Sequence, residues 1–186
     1  VIDRSLSMRQ EMASKSRAKS PEESRMHRAK EELKRALGLL TKEHRFNILS
    51  FAMTRRTFAD GLVRPDRKTM KAALTFLDDM EMEFGTQIYD ALQHAFQIAG
   101  RGAEDAFYDC EVDTIYLLTD GRPYVGNKSD STRRIRNAAR RWNALGRVRI
   151  HVIGLGTDIP AKFLQGLADD SGGRFVHETK APEGKK

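Results

Sequence analysis

The 186-residue sequence predicts a doubly wound α/β fold: a mainly parallel six-stranded sheet, with one antiparallel edge strand and helices on both faces. Three observations predict it. Short apolar runs of strand length alternate with stretches whose apolar residues recur every three or four positions, the pattern of strand-helix units joined by right-handed crossovers. One pair of strands is separated by too few residues for a parallel return, which needs a dozen or more. Polar clusters stand where strands end, and in such sheets ligands collect beyond the carboxyl ends of the strands, where strand order reverses.

The first strand is the apolar pair Val1-Ile2, which runs into Asp3-Arg4-Ser5-Leu6-Ser7-Met8. A strand usually has about five residues, so the sequence is expected to be a segment of a longer polypeptide. Residues 8–20 are polar and basic without periodicity and read as a loop. Ser20-Pro21-Glu22-Glu23 reads as a helix start, with Ser20 as N-cap, Pro21 in the first turn and two acids against the positive end of the dipole. Met26, Ala29, Leu33, Leu37 and Leu40 then mark an amphipathic helix of about five turns. Residues 46–52 are apolar and aromatic enough for a buried strand, and residues 56–61 supply its antiparallel neighbour.

Asp66 opens a helix with the stripe Met70, Ala73, Leu74 and Leu77, ending before Phe84-Gly85-Thr86. The next helix carries Ile88, Ala91, Leu92, Ala95, Phe96 and Ala99, and Gly100 with Gly102 stops it. Residues 114–119 form a strand closed by the turn chemistry of Asp120-Gly121. From Ser131 a helix shows two faces, one with Ile135, Ala138, Ala139, Trp142 and Leu145, the other with Arg133, Arg136, Arg140 and Arg141. Residues 149–154 are the next strand, 161–169 a short helix and 173–177 a last strand. One domain over residues 1–179 with a polar tail at 180–186 is therefore expected, since two domains would be cramped at this length.

Composition narrows the function classes. No apolar run approaches the ~20 residues that span a bilayer, so no membrane contact is expected from this segment. Cys110 is the single cysteine, which excludes an intrachain disulfide and a thiolate zinc site and leaves it as a small packing residue. The formal charge of +7 favours acidic partners and keeps nucleic acid in view.

Asp3-x-Ser5-x-Ser7 can aim a carboxylate and two hydroxyls at one point, a donor set that suits Mg²⁺ or Ca²⁺. The same short polar residues equally cap helices and shape turns. Thr86, in a loop that opens a helix, and Asp120, after the central strand, fall at the same rim of the predicted sheet.

With these clusters the sequence resembles the von Willebrand factor A domain, which shares its architecture with the integrin inserted domain. Asp3-Arg4-Ser5-Leu6-Ser7 matches that family's Asp-x-Ser-x-Ser, Gly85-Thr86 its threonine loop and Leu117-Leu118-Thr119-Asp120-Gly121 its aspartate loop, in the right order over nearly the whole chain. The resemblance implies a Rossmann-like fold and a metal-ion-dependent adhesion site. In it Ser5, Ser7 and Thr86 supply hydroxyls, and Asp3 and Asp120 bind Mg²⁺ (or Mn²⁺ or Ca²⁺) directly or through water. It further implies a sixth position open to an acidic residue of a protein partner, in a module expected to be a monomeric domain. Neutral hydroxyls leave the cation's charge incompletely balanced, so an incoming carboxylate is attracted, and Arg4 is expected to add to that attraction. Phe84 stands where the family often has a second glycine and Leu6 where glycine is common; the first strand is short, and the family's final helix is not expected within this sequence.

Other signals are weaker. Gly154-x-Gly156 has Ile159 where a dinucleotide loop needs its third glycine. No Gly-x-x-x-x-Gly-Lys-Ser/Thr loop occurs, no serine sits in a Gly-x-Ser-x-Gly elbow, and His27, His44, His94, His151 and His177 never fall at ligand spacing. A metal-dependent hydrolase thus lacks a base or nucleophile. The leading expectation is a non-enzymatic, cation-dependent protein-binding module for adhesion or scaffolding. The alternative is a nucleic-acid-binding module acting through the arginine face, which would show steep salt dependence.

Overall fold

The structure, a computed structural model, describes residues 1–98, 111–124 and 131–179. Its strands are β1 (Ile2–Asp3), β2 (Leu49–Phe51), β3 (Arg55–Thr57), β4 (Thr114–Thr119), β5 (Arg149–Leu155) and β6 (Phe175–Glu178). They form one six-stranded sheet in the order β3-β2-β1-β4-β5-β6. Only β2 and β3 pair antiparallel, as their short connection requires. Strand order runs outward in both directions from the β1–β4 junction, where Ile2 pairs with both Ser50 and Leu118. That junction is the switch point of the sheet.

The helices are α1 (Arg25–Gly38), α2 (Arg67–Asp78), α3 (Ile88–Ile98), α4 (Thr132–Trp142) and α5 (Ala161–Asp169). The strand period of two explains why β4 is apolar almost throughout. Ile115 and Leu117 face one core with Leu92 and Phe96 of α3, Ile135 of α4 and Leu164 and Leu167 of α5. Leu118 faces a second core with Ile2, Met26 and Ala29 of α1, and Ala73 and Leu77 of α2. Each such fully buried leucine or isoleucine contributes about 1.5–3 kcal/mol, so β1, only two residues long, is held from both faces by its neighbours' cores.

Several boundaries differ from expectation. Ser20 makes no side-chain cap; Pro21–Glu23 is a separate 3-10 turn, closed by the Ser24 N–H on the Pro21 carbonyl at 3.1 Å. That turn delivers Ser24 to the orphaned first turn of α1, where its Oγ accepts from the His27 N–H at 3.1 Å. The helix therefore begins at Arg25 and has about four turns. Residues 46–52 give only a three-residue β2 because the Asn47 side chain takes over the edge: it donates to the Ala59 and Gly61 carbonyls and accepts from the Ile48 and Ala59 N–H groups. Leu145 lies beyond the end of α4 and is exposed. The expected Gly100–Gly102 stop, Cys110 and the 180–186 tail lie outside the described residues. Among those described, no helix is long and apolar enough to cross a membrane.

Candidate metal centre

β1 ends in Asp3, and the chain turns through an extended Ser5 into a 3-10 turn at Leu6–Arg9. Asp3 Oδ1 accepts the Ser5 backbone N–H at 2.8 Å, and the hydroxyl oxygens of Ser5 and Ser7 are 3.0 Å apart. Asp3 and Ser5 are buried while Leu6, between the two serines, is exposed. β4 arrives alongside and ends in Thr119-Asp120-Gly121. Thr119 Oγ1 donates to Asp3 Oδ2 at 2.5 Å and accepts the Gly121 N–H at 2.8 Å, so one buried hydroxyl ties the two strand ends together. Gly121 has φ +77, and a Cβ there would stand 2.8 Å from Leu164 Cδ1. The turn after Asp120 needs glycine for both reasons.

Thr86 is buried, and its loop is pinned on two sides. Glu83 bridges to Ser5 in parallel fashion, with its N–H on the Arg4 carbonyl at 2.9 Å. Thr86 itself exchanges backbone bonds with Tyr124 at 2.8 and 3.0 Å. Loops carrying all five sequence-predicted residues (Asp3, Ser5, Ser7, Thr86 and Asp120) thus meet at the carboxyl ends of β1 and β4.

Arg4 departs from expectation. Its Nη2 lies 2.6 Å from Glu83 Oε2 and 2.7 Å from Thr54 Oγ1, with the side chain buried. Its charge is balanced by Glu83, and its work is to hold the threonine loop rather than to attract a ligand. Two participants escaped the sequence reading. Thr119 looks like the last residue of a strand, which it also is. Arg25 donates from Nη1 to Asp120 Oδ2 at 2.9 Å, both side chains almost fully buried. The one signal for Arg25 was its place four residues before Ala29, on the stripe of α1 that packs inward.

Burial, and then the negative charge of Asp120, push the Asp3 carboxyl up to about 7, against the hydrogen bonds from Thr119 and Ser5. Two carboxylates against one guanidinium leave the cluster one positive charge short. Carboxylate and hydroxyl oxygens are the donor set of a hard divalent cation; among the described residues no group of three or more His, Cys, Asp or Glu gathers that could hold a metal ion, so a cation here would depend on the hydroxyls as well as on the two carboxylates. The residues present fit Mg²⁺, Mn²⁺ or Ca²⁺.

A pH dependence follows. A carboxyl whose pKa rises from 3.8 to about 7 on folding stabilises the fold fully below the lower value, and that contribution is lost as pH rises through the upper. With chelator present, the thermal midpoint is expected to fall between about pH 5 and about pH 8, and Asp3→Asn to flatten that slope. A wild-type slope equal to that of Asp3→Asn would remove Asp3 as its source.

The arginine face of α4 offers less free charge than its sequence suggests. Arg136 holds Asp170 through Nε and Nη2 at 2.7 and 2.8 Å, and Arg140 reaches the same carboxylate at 2.6 Å. Arg134 lies over the Tyr89 ring at 4.2 Å. A cleft of about 680 Å³ between α4 and α5 is lined by Arg133, Arg136, Lys162 and Phe163 among others, and by none of the five predicted ligands.

Comparison with known proteins gives a consistent picture. The family model described as von Willebrand factor type A domain matches residues 11–177, a span that includes Thr86 and Asp120 and starts after Ser7. The chain is 31% identical over 157 residues to human inter-alpha-trypsin inhibitor heavy chain H4, covering 83% of this chain and 17% of that protein. It is 30% identical over 132 residues to human von Willebrand factor A domain-containing protein 3A, covering 70% of this chain and 10% of that one. The chain thus spans less than a fifth of these relatives' length. Among solved structures, a von Willebrand factor type A protein from Catenulispora acidiphila superposes with a TM-score of 0.74 at 23% identity, over 97% of this chain and 38% of that one. Proximal thread matrix protein 1 from the mussel byssus, in a form with a zinc-occupied MIDAS motif, superposes with a TM-score of 0.61 at 21% identity, over 96% and 40% of the two chains.

Proposed function

This chain belongs to the von Willebrand factor type A domain family, and from that premise we propose that it is a non-enzymatic protein-binding module which captures an acidic residue of its partner through a divalent cation. It would serve adhesion or scaffolding within a larger protein. Asp3, Ser5, Ser7, Thr86 and Asp120 would hold the ion. When bound, the ion supplies a Lewis-acidic position that a carboxylate oxygen can occupy.

The observation that carries this reading is the meeting of Asp3 with Thr119 and Asp120 across the β1–β4 junction, two buried carboxylates with hydroxyl neighbours and a single guanidinium, which pairs with Asp120. The chain's own residues do the rest. Hydroxyls from Ser5, Ser7 and Thr86 bring oxygen without charge, and Arg25 offsets Asp120, so the positive end of the site is left for the partner. Around it stand exposed Leu6, Phe84 and Tyr124, the last two rings packed edge to face with centroids 5.4 Å apart. Apolar side chains flanking the partner's acid would bury against this rim and shield the contact from water. The zinc-occupied MIDAS motif of the mussel protein, which shares this fold, supports a metal-binding reading.

The test is a titration of the chain with Mn²⁺ and Mg²⁺, followed by binding of an acidic peptide with and without chelator. Saturable uptake of metal and chelator-sensitive retention of the peptide are expected. Retention indifferent to chelator, or no metal uptake, would remove the proposal.

A further inference from the structure

We propose that Arg25 is a built-in counter-cation of the metal centre: it lowers the site's affinity for metal and raises the positive charge that the loaded site presents to a partner's carboxylate. The inference rests on the metal-dependent reading above and adds the residue that sets its electrostatic balance.

Two separate segments hold the Arg25 guanidinium in place by hydrogen bonds. Nη1 donates to Asp120 Oδ2 at 2.9 Å, Nε to the Glu11 carbonyl at 3.3 Å and Nη2 to the Ser14 carbonyl at 3.2 Å. On its other side lies the bare backbone of Gly156, just after β5. A Cβ there would stand 2.4 Å from Arg25 Nε and 2.6 Å from Cζ, and the residue has φ +97. The chain therefore leaves out a side chain at Gly156 where the guanidinium lies, and the loop after β1 turns two carbonyls toward it.

Stability alone is a poor reason for such an arrangement. A buried ion pair gains little over well-packed apolar residues, because removing both charges from water costs about as much as their attraction returns. Beside a cation site the same charge has a definite consequence. With Asp3 ionised, as a bound cation would hold it, Asp3, Asp120 and Arg25 together carry one net negative charge, so a divalent ion leaves the loaded cluster with one net positive charge. Without Arg25 the two carboxylates would neutralise the ion, and an incoming carboxylate would meet a site with no net charge. Coulomb's law thus makes Arg25 act in opposite directions on the two ligands, against the metal and for the acid.

This opposition separates an electrostatic role from a merely structural one. Arg25→Gln and Arg25→Lys both disturb the bonds to the Glu11 and Ser14 carbonyls, but only the lysine keeps the charge. Mn²⁺ is the first probe and glutarate the second, with glutarate read by the loss of water-proton relaxation as it displaces water from the bound ion. Arg25→Gln is expected to bind Mn²⁺ about tenfold or more tighter than both wild type and Arg25→Lys, and glutarate on the loaded protein to bind correspondingly weaker.

Folding of Arg25→Gln that depends on Mn²⁺ supports the proposal, since the uncompensated carboxylates then need the ion. If Arg25→Gln does not fold even with Mn²⁺, Gly156→Ala decides, because it leaves Arg25 in the chain and drives its guanidinium off Asp120; tighter Mn²⁺ binding is again expected. Mn²⁺ affinity that is unchanged or lower in the deciding variant, or glutarate affinity that does not fall, overturns the proposal, as does failure of both variants to fold with Mn²⁺. A wild-type chain that takes up no Mn²⁺ instead sinks the metal-dependent reading itself.

Discussion

Asp120→Asn is expected to lower the affinity for Mn²⁺ by about a hundredfold or more and with it to abolish cation-dependent partner binding. Asparagine has the same shape and can still accept a bond from Arg25 at the present 2.9 Å position, so the loss isolates the charge. It removes one of two buried carboxylates and leaves Asp3 and Arg25 with no net charge between them, a poor environment for a divalent ion. Asp120→Ala should lose binding equally and also stability, by about 3–5 kcal/mol, because a buried guanidinium is left without its acid. Metal titration and thermal unfolding of the two variants check both halves. If Asp120→Asn kept chelator-sensitive partner capture at wild-type strength, Asp120 would not be a ligand and the donor set would have to be redrawn.

The parts of this molecule that can be read from sequence are those whose cause is local. β4 and α5 have the expected bounds, Thr114–Thr119 and Ala161–Asp169, because an unbroken apolar run with a turn after it, and a short amphipathic stretch before a glycine-rich turn, each have one stable solution. The antiparallel edge followed from a connection too short for anything else. Asp3, Ser5 and Ser7 are neighbours along the chain, so their gathering was legible as well. What acts through space was not. Arg25 pairs with a residue 95 positions away, and its place on the inward stripe of α1 shows that it is buried but not what it meets. Arg4 shows the converse: adjacency to the site suggested a role in attraction, and a partner 79 positions on, Glu83, had already taken its charge. The start of α1 moved from Ser20 to Ser24 because two serines bracket Pro21-Glu22-Glu23, and only the three-residue turn closed by Pro21 decides which of them meets the free N–H groups.

Thr119 makes the strongest case that strand and site are one structure, and Thr119→Val should show it. Valine matches the shape of threonine and favours strands, so the packing of β4 between its two cores is kept while the hydroxyl is lost. Two buried groups then go without partners: Asp3 Oδ2, now receiving a bond at 2.5 Å, and the Gly121 N–H, now donating at 2.8 Å. Each unsatisfied group costs about 1–3 kcal/mol, so a destabilisation of about 2–6 kcal/mol is expected, read as a lower denaturation midpoint with chelator present. Thr119→Ser keeps both bonds and should remain close to wild type. The loss in valine should also reach the metal, since Thr119 is what fixes the Asp3 carboxylate and the turn after Asp120 relative to each other; a fall of about 10- to 100-fold in Mn²⁺ affinity is the size that loss of an orienting partner produces. A valine variant with lowered stability but unchanged Mn²⁺ affinity would mean that Asp3 does not need this hydroxyl to hold the ion, and that β4 contributes Asp120 alone.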